Sequence, residues 1–290
     1  MAARAGTTRA WNGRRVIVAG GTAGFGLVLA RHLARQGAAV LLVGRSADGV
    51  REALAACERA GESTASMHGI TADLGQPGEG NRVAGEAIRL LGGIDDVFFC
   101  VGRSGRAAIM RSSVATLQDY LDANLLSAVE LTQAVADDVA LAAGHLVYIG
   151  SLAGKIVMPF MGPYSVAKSA LAAYVDAVRL ELTPRGVHVL LVSPGPIRRR
   201  ADDPAADRAA ERYAAEAVAA GLPPEAAVPG GTTSLSQLDP DDLARRILAA
   251  CQRRTSELVV PRKVSLLAGI IEWFPNAGRK ILARATQPRR

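Results

Sequence analysis

Aromatic residues make up only 4% of this 290-residue chain, and the sequence has few cysteines and no long apolar run. With so few aromatic rings, the interior has to be built mainly from Ala, Val, Leu and Ile, which suits helices packed on a parallel sheet. Hydrophobic residues reach 49% and charged residues 21%, so extended disorder is not expected. The length fits one large α/β domain better than two small ones.

The three cysteines are odd in number and scattered, so neither a disulfide framework nor a zinc motif is indicated. The four histidines show no ligand spacing either, and we expect no metal site. A reducing, cytoplasmic setting is the simplest interpretation. No apolar run approaches the ~20 residues that a membrane-spanning helix needs.

The formal net charge is +7, with Arg far outnumbering Lys. A net positive charge of this size can favour binding to nucleic acid or to an anionic membrane surface. The arginines are dispersed, apart from 198–200 and the C-terminus, and no aromatic residues alternate with them as in base-stacking surfaces. We therefore expect no nucleic-acid partner. Residues 1–11 are basic and lack the apolar stretch of a secretory signal, which predicts a short disordered lead-in.

Strand-like and helix-like segments alternate from residue 15 to residue 195. Apolar, β-rich runs predict strands at 15–19, 39–43, 65–70, 96–101, 145–149 and 187–192, with helical patterns between them. This alternation predicts a doubly wound, Rossmann-type α/β parallel sheet with helices on both faces. A helix at 239–252, with Asp239 as its N-cap, and a strand at 257–260 complete a single domain at 12–262.

Two segments differ in composition from the alternating part. Residues 198–237 are rich in Ala, Asp, Glu, Arg, Pro and Gly, which predicts a substrate lid with one helix near 204–220. The tail at 263–290 holds an apolar block and then a basic helix. It suits core or interface packing, the wall of an apolar substrate entrance, or weak contact of residues 264–285 with a membrane surface.

A glycine-rich turn follows the first strand and opens the first helix. Its candidate cofactor ligands are Gly20, Thr22, Gly24, Phe25 and Gly26. Glycines there let backbone amides approach a pyrophosphate at the helix N-terminus, where the helix dipole favours negative charge. The turn therefore predicts a dinucleotide site.

The end of the second strand bears on the choice of dinucleotide. NAD sites usually carry an acidic residue there to bind the ribose hydroxyls. Here Gly44 ends the strand, and Arg45 and Ser46 follow it. Because a guanidinium suits a 2′-phosphate, we expect NADP(H) in preference to NAD(H); the alternative is that Arg45 is a solvated loop residue.

Further candidate ligands of the cofactor stand near the carboxyl ends of later strands, where ligands bind in open α/β folds. They are Asp73, Leu74, Cys100, Gly102, Pro194, Gly195 and Ile197. Asp73 either contacts an adenine edge or caps the next helix.

The segment 151–168 holds the candidate catalytic residues Ser151, Tyr164 and Lys168. If Tyr164 opens a helix, Lys168 lies one turn later on the same face, where its ammonium favours the phenolate. Such a Tyr can exchange a proton with a carbonyl or an alcohol near neutral pH. Ser151 would end the fifth strand with its hydroxyl free to hold the substrate oxygen. The Tyr-x-x-x-Lys spacing by itself more often marks an ordinary amphipathic helix.

Asn124 is the only Asn in the helical region predicted at 116–140, and apolar residues flank it. A buried Asn in mid-helix costs helix propensity and needs hydrogen-bond partners. It either packs against polar backbone groups or holds a water in a site.

In combination these motifs resemble the short-chain dehydrogenase/reductase family over about residues 12–262. The resemblance implies a sheet of about seven strands, a nicotinamide cofactor and a homodimer or homotetramer. It also implies that Tyr164 is the acid/base, Lys168 its electrostatic partner and a ribose ligand, Ser151 the group that orients the carbonyl, and Asn124 the holder of a proton-relay water.

The chain departs from the family's pattern at three places. Ala19 replaces a Thr, the sequence Phe-Cys-Val-Gly at 99–102 replaces Asn-Asn-Ala-Gly, and Arg199 replaces a Thr after the Pro-Gly turn. The first two affect structural detail, and the third affects the grip on the nicotinamide. The alternative for Arg199 is a contact with a cofactor phosphate or with an acidic substrate.

The expected function is NADP(H)-dependent reduction of a ketone or aldehyde, or oxidation of the secondary alcohol. A looser resemblance to reductases of lipid-like ketones suggests a 3-ketoacyl or similar small-molecule substrate. The departures motivate an alternative, a non-catalytic dinucleotide-binding sensor or scaffold. The expected location is the cytoplasm, with peripheral membrane contact if residues 264–285 bind a bilayer.

Overall fold

The computed structural model describes residues 10–60, 66–203, 205–219, 221–222 and 236–286. Its centre is a seven-stranded sheet, and all six neighbouring strand pairs are parallel. The spatial order is β3-β2-β1-β4-β5-β6-β7. The strands are β1 (Arg15–Ala19), β2 (Ala39–Gly44), β3 (Met67–Thr71), β4 (Asp96–Phe99), β5 (His145–Ile149), β6 (His188–Pro194) and β7 (Glu257–Val260).

Helices cover both faces of the sheet, as the alternating pattern predicts. They are α1 (Gly24–Arg35), α2 (Ala47–Arg59), α3 (Glu79–Leu91), α4 (Val114–Leu121), α5 (Ser127–Leu141), α6 (Gly162–Leu182), α7 (Ala206–Ala219), α8 (Pro240–Gln252), α9 (Lys263–Trp273) and α10 (Pro275–Thr286). The helix α8 begins as predicted, because the Asp239 carboxylate accepts a hydrogen bond from Asp242 N at 2.9 Å.

Two apolar clusters lie on opposite faces of the sheet. One joins the sheet to α1 and α8, and the other joins it to α3, α5 and α6. Val, Leu, Ile and Ala dominate both clusters, as the low aromatic content requires. The strands are buried on both faces, which explains why they read as apolar runs and not as alternating patterns. The predicted doubly wound fold is confirmed.

The predicted lead-in does not extend to residue 11. Trp11 is only 2% exposed, and its ring centroid lies 5.7 Å from that of Phe98 and 5.5 Å from that of His145. The side chain is buried because it covers the amino ends of the central strands, so the domain begins at Trp11 or earlier. Residues 1–9 of the lead-in lie outside the described part of the chain.

The lid and the tail are described only in part. Within the predicted lid, α7 forms near the expected place, whereas residues 223–235 lie outside the described residues. In the tail, α9 and α10 form a helical hairpin in which Gly278 packs closely against the backbone of Ile271. Across the described ranges, no helix is both long enough and apolar enough to span a membrane.

Candidate active site

The glycine-rich turn packs the start of α1 tightly against the ends of β1 and β4. Gly20 has a φ of +76°, and a Cβ there would lie 2.8 Å from Val101 N. A Cβ at Gly26 would overlap the carbonyl oxygen of Gly20 and lie 3.1 Å from Cys100 Cβ. Glycine is therefore required for the backbone to pack this closely. The N-cap residue of α1, Ala23, supplies no side-chain hydrogen bond, so amides of the first turn can face an anion.

Thr22, Arg45 and Ser46 lie together where β2 meets α2. Gly44 ends the strand, and a Cβ there would come within 2.6 Å of Thr22 Oγ1. Ser46 Oγ accepts a hydrogen bond from Gly49 N at 3.1 Å and so caps α2. Arg45 is exposed beside these hydroxyls. Two hydroxyls, a guanidinium and a helix N-terminus make this a suitable place for a phosphate.

Asp73 does not cap the next helix, because α3 begins at Glu79 with Gly78 as its N-cap. Its Oδ1 instead accepts a hydrogen bond from Gly75 N at 3.2 Å, and the side chain is exposed at the end of β3. Of the two predicted roles, helix capping is therefore wrong. Leu74, the next residue, is buried at 4% exposure.

Asn124 lies in a turn of π-helix, Asp122–Leu126, which joins α4 to α5. Its Nδ2 donates hydrogen bonds to Arg103 O at 3.0 Å and Tyr120 O at 2.9 Å. Its Oδ1 is buried and has no hydrogen-bond partner among the described residues. Asn124 thus packs against polar backbone and still presents an acceptor, so the two predicted roles are compatible. Single π-turns often occur at functional sites.

Lys168 is buried near Asn124, with only 4% of the residue exposed. Its Nζ donates a hydrogen bond to Ile149 O at 2.9 Å, and burial lowers the pKa of its ammonium to about 8. A Cβ at Gly102 would lie 2.8 Å from Asn124 Oδ1 and 3.3 Å from Lys168 Nζ. Gly102 therefore borders both polar groups, and no larger residue fits there without displacing one of them.

Tyr164 is the third residue of α6, so it opens the helix as predicted, and it is half-buried. Lys168 Nζ lies 5.9 Å from the centroid of its ring. Ser151 caps the short turn Leu152–Gly154, and its Oγ accepts a hydrogen bond from Ala153 N at 3.1 Å. This bond uses one acceptor lone pair of the hydroxyl, and its O–H can still donate to a carbonyl.

Cys100 follows β4 and faces the same region. Burial raises the pKa of its thiol to about 12, although the nearby Lys168 opposes this. The thiol therefore stays protonated near neutral pH and is no nucleophile there. The preceding residue, Phe99, stacks on Tyr148 with ring centroids 4.3 Å apart, so an aromatic pair occupies the place of the family's first Asn.

The segment after β6 closes the site on its other side. Gly195 N donates to Val260 O at 2.8 Å, and Ile197 bridges to Leu238. Pro194, at the end of β6, is buried. This pairing directs the following residues towards α1, where the Arg199 guanidinium lies 3.5 Å from the place of a Cβ on Gly24.

An apolar cavity of about 350 Å³ lies beside the loop that precedes Tyr164. Its walls are residues 157–160, Ile109 and Gly162, together with Arg279, Leu282 and Ala283 of α10. The loop is held by a hydrogen bond from Ala107 N to Phe160 O at 2.9 Å. Of the roles predicted for the tail, this placement fits the wall of an apolar entrance.

A cluster that the sequence analysis missed lies at the opposite end of the sheet. His145 Nδ1 and His188 Nδ1 are 2.8 Å apart, and Cys251 Sγ lies within 4.8 Å of one ring nitrogen of each histidine. His188 Nε2 donates to Thr255 O at 2.8 Å, which leaves its Nδ1 as the acceptor for His145. The sequence spacing gave no signal, but the two histidines begin neighbouring strands and are register partners.

The sequence profile of a family described as short chain dehydrogenase matches residues 14–209, more than half of the chain. The chain belongs to the short-chain dehydrogenase/reductase family. Dehydrogenase/reductase SDR family member 7B of Xenopus tropicalis is 28% identical over 257 residues, which are 87% of this chain and 79% of that protein. Ketoacyl reductase HetN of Nostoc sp. is 32% identical over 184 residues, 63% of each protein.

A solved structure supports the fold of this short-chain dehydrogenase/reductase. A Caenorhabditis elegans short-chain dehydrogenase/reductase of unknown function, crystallised with cofactor, superimposes with a TM-score of 0.70 at 21% identity. The superposition covers 88% of this chain and 96% of that one. The predicted family and fold are confirmed, and with them an oxidoreductase that uses a nicotinamide dinucleotide. The close-packed glycines of the first turn fit that cofactor.

Proposed function

We propose that this chain is an NADP(H)-dependent reductase of an apolar ketone or aldehyde, which also oxidises the secondary alcohol in reverse. The observation that carries the proposal is the convergence of Asn124 Oδ1 and Lys168 Nζ on Gly102. The two polar atoms are buried together at the carboxyl end of the sheet. Lys168 Nζ lies at the end of the strand that precedes Ser151 and belongs to the helix that carries Tyr164. Buried polar groups without a structural need are typical of catalytic sites.

Each side chain has a chemical role that follows from its contacts. The Ser151 O–H donates to the carbonyl oxygen, and the Tyr164 phenol donates the proton that the oxygen acquires. The Lys168 ammonium stabilises the phenolate that remains. Asn124 Oδ1 is placed to accept a hydrogen bond from a water, through which the proton can be restored from solvent. The nicotinamide, when bound, supplies or accepts the hydride.

The direct test replaces Tyr164 with Phe. We expect turnover to fall by roughly 10²–10⁴-fold while the affinity for NADPH is retained, because only the transferable proton is lost. Tyr174→Phe, on the same helix and away from the site, is the matched control and should keep its activity. Substantial residual turnover in Tyr164→Phe would refute the assignment.

The preference for NADP(H) is supported by the cradle of Thr22, Arg45 and Ser46. We expect NADPH to bind at least about tenfold more tightly than NADH, a difference of ~1.4 kcal/mol that one charge-assisted contact can supply. Arg45→Gln should lose most of this difference, whereas Arg51→Gln, an exposed change on α2, should not. A wild-type preference for NADH, measured by titration of nicotinamide fluorescence, would overturn this part of the proposal.

The substrate class is inferred from the cavity beside the loop that precedes Tyr164. Its walls are apolar apart from Arg279, so it suits the chain of a medium-length or lipid-like ketone, including a 3-ketoacyl compound. The relative from Nostoc is named as a ketoacyl reductase, which supports the same class. We expect KM to fall as the alkyl chain of a ketone series lengthens; a KM independent of chain length would exclude this cavity as the acyl site.

The tail helices also suit weak contact with a membrane surface. Leu266, Trp273 and Phe274 are 72%, 84% and 65% exposed, and Arg279 and Lys280 are exposed nearby. Apolar and basic side chains together favour an anionic bilayer. We expect the protein to float with anionic liposomes but not neutral ones, and Trp273→Ser combined with Phe274→Ser to abolish flotation. Equal behaviour of both proteins would exclude the contact.

Two further expectations concern the assembly and its location. Short-chain dehydrogenase/reductases commonly form oligomers, which supports a homodimer or homotetramer, testable by light scattering. None of the three cysteines forms a disulfide bond, which supports a reducing, cytoplasmic location. If the protein binds NADPH but turns over none of a broad carbonyl panel, the non-catalytic sensor or scaffold replaces the enzyme as the better proposal.

A further inference from the structure

A carboxylate from the lid segment lies at the first turn of α1. Asp203 Oδ1 accepts hydrogen bonds from Gly24 N and from Ala205 N, each at 3.1 Å. The side chain is almost fully buried, at 4% exposure. Since Ala23 contributes no cap, Asp203 supplies the negative charge that the start of this helix favours.

Arg199 completes this contact. Its Nη1 is paired with Asp203 Oδ2, and the same nitrogen is 3.5 Å from the place of a Cβ on Gly24. A guanidinium and a carboxylate, neutral as a pair, therefore cover the glycine-rich turn. Arg199 is the residue that stands where the family's pattern has a Thr.

Neighbouring ion pairs hold this segment in place. Asp202 pairs with the buried Arg31 of α1 at 2.8 Å, and Arg200 pairs with Asp241 of α8 at 2.5 Å. Arg199 to Asp203 are thus anchored on two helices, and the position of the Asp203 carboxylate is not that of a loosely attached surface loop.

We propose that Asp203 is an internal competitor of the cofactor's pyrophosphate, and that Arg199 becomes a phosphate ligand when the cofactor displaces it. The proposal rests on the proposed function, because it takes the first turn of α1 as the pyrophosphate site. A carboxylate and a pyrophosphate repel each other and require the same amide, so they cannot both occupy it. Displacement of Asp203 frees the Arg199 guanidinium, which then pairs with a phosphate oxygen. Binding of the dinucleotide is thereby coupled to movement of residues 199–203.

The test measures NADPH affinity in two isosteric variants by nicotinamide fluorescence. Asp203→Asn keeps an oxygen that can accept from Gly24 N but removes the competing charge and the partner of Arg199. We expect NADPH to bind roughly three- to tenfold more tightly to it than to the wild type. Asp242→Asn is the matched control, since it loses exposed ion pairs with Arg245 and Arg246 within α8 and no contact with the turn; its affinity should stay within about twofold.

A second pair of variants tests the role of Arg199. Arg199→Gln should weaken NADPH binding, and it should remove the gain in the double variant with Asp203→Asn. Inorganic pyrophosphate, used as a competitor of NADPH, should show the same order of affinities, because it carries no nicotinamide or adenosine. Thermal melting without ligand confirms that each variant is folded.

The outcomes separate this proposal from the function on which it rests. If the wild type binds NADPH and Asp203→Asn binds it equally or more weakly, Asp203 only anchors the lid and the competition is refuted, while the oxidoreductase assignment stands. If only Asp203→Asn binds NADPH, the competition is supported in its strongest form. If neither protein binds a dinucleotide, both proposals fail.

Discussion

Lys168, the proposed electrostatic partner of Tyr164, is buried in the folded protein, and its burial has a cost in stability. Burial lowers the pKa of its ammonium from the ordinary 10.5 to about 8. That difference corresponds to about 3 kcal/mol of unfavourable free energy for keeping the ammonium charged in the folded state at pH 7. Because the folded state binds this proton more weakly than the unfolded state, the cost is fully present below pH 8. It disappears as the pH rises from about 8 to 10.5, so this residue makes unfolding harder at high pH.

Lys168→Met removes the charge and keeps a side chain of similar length. It leaves Ile149 O without the hydrogen bond from Nζ, which costs about 1 kcal/mol. We therefore expect the free energy of unfolding at pH 7 to rise by about 2 kcal/mol while turnover is lost, which is the usual trade-off at active sites. Urea unfolding without cofactor, at pH 7 and pH 10, measures both the gain and its decline at the higher pH.

The control is Lys155→Met, which removes a partly exposed ammonium paired with Glu257 at 2.7 Å. We expect that change to alter the free energy of unfolding by no more than about 1 kcal/mol, with little dependence on pH. A Lys168→Met protein that is less stable than the wild type at pH 7 would refute the reasoning, as would an unchanged difference between pH 7 and pH 10.

Three other changes test the surroundings of the site. Gly102→Ala should lower kcat by about tenfold or more without unfolding the protein, because the new methyl displaces Asn124 Oδ1 or Lys168 Nζ; steady-state kinetics measures it. Burial lowers the pKa of His145 to about 3, so between pH 6.5 and 4.5 only the unfolded state binds a proton at this residue. The free energy of unfolding should therefore fall by about 2–3 kcal/mol over this range. In His145→Asn this fall, measured by acid unfolding, should be smaller. Phe99→Asn, which restores the family's residue, should cost about 3 kcal/mol in urea unfolding, because the aromatic stack is lost and the buried amide gains no partner.

The fold could be predicted because its strands are buried on both faces. Runs such as Arg15–Ala19 are apolar at nearly every position, and glycines and polar residues mark where each run ends. The boundaries of the helices could be predicted less well from the sequence. The start of α3 depends on Gly78, which adopts a left-handed conformation just before the helix. The burial of Trp11 was also not predictable, because it depends on rings that lie far away in the sequence.

The candidate site was predictable where it depends on a single element. Tyr164 and Lys168 share one helix, so their spacing fixes their relation. The π-turn at Asn124 and its approach to Gly102 were not predictable, because they depend on how α4 and α5 pack on the end of β4. The histidine pair could not be predicted without the register of β5 and β6. The apolar cavity could not be predicted because it depends on α10 folding back against the loop that precedes Tyr164.

The departures from the family's pattern change the support of the site and leave its four candidate catalytic side chains in place. The family's first Asn normally stabilises the central strand through its side chain, and here Phe99 on β4 stacks instead on Tyr148 of β5. The Tyr148 hydroxyl lies 2.8 Å from Thr132 Oγ1, and this hydrogen bond fixes the orientation of the Tyr148 ring in the stack. These two strands deliver Gly102 and Ser151, and their spacing is what brings the two residues to one edge of the sheet. Since β4 and β5 are held together by their backbone hydrogen bonds and the Phe99–Tyr148 stack fills the place of the missing Asn, its absence is a weak argument for a chain without catalysis.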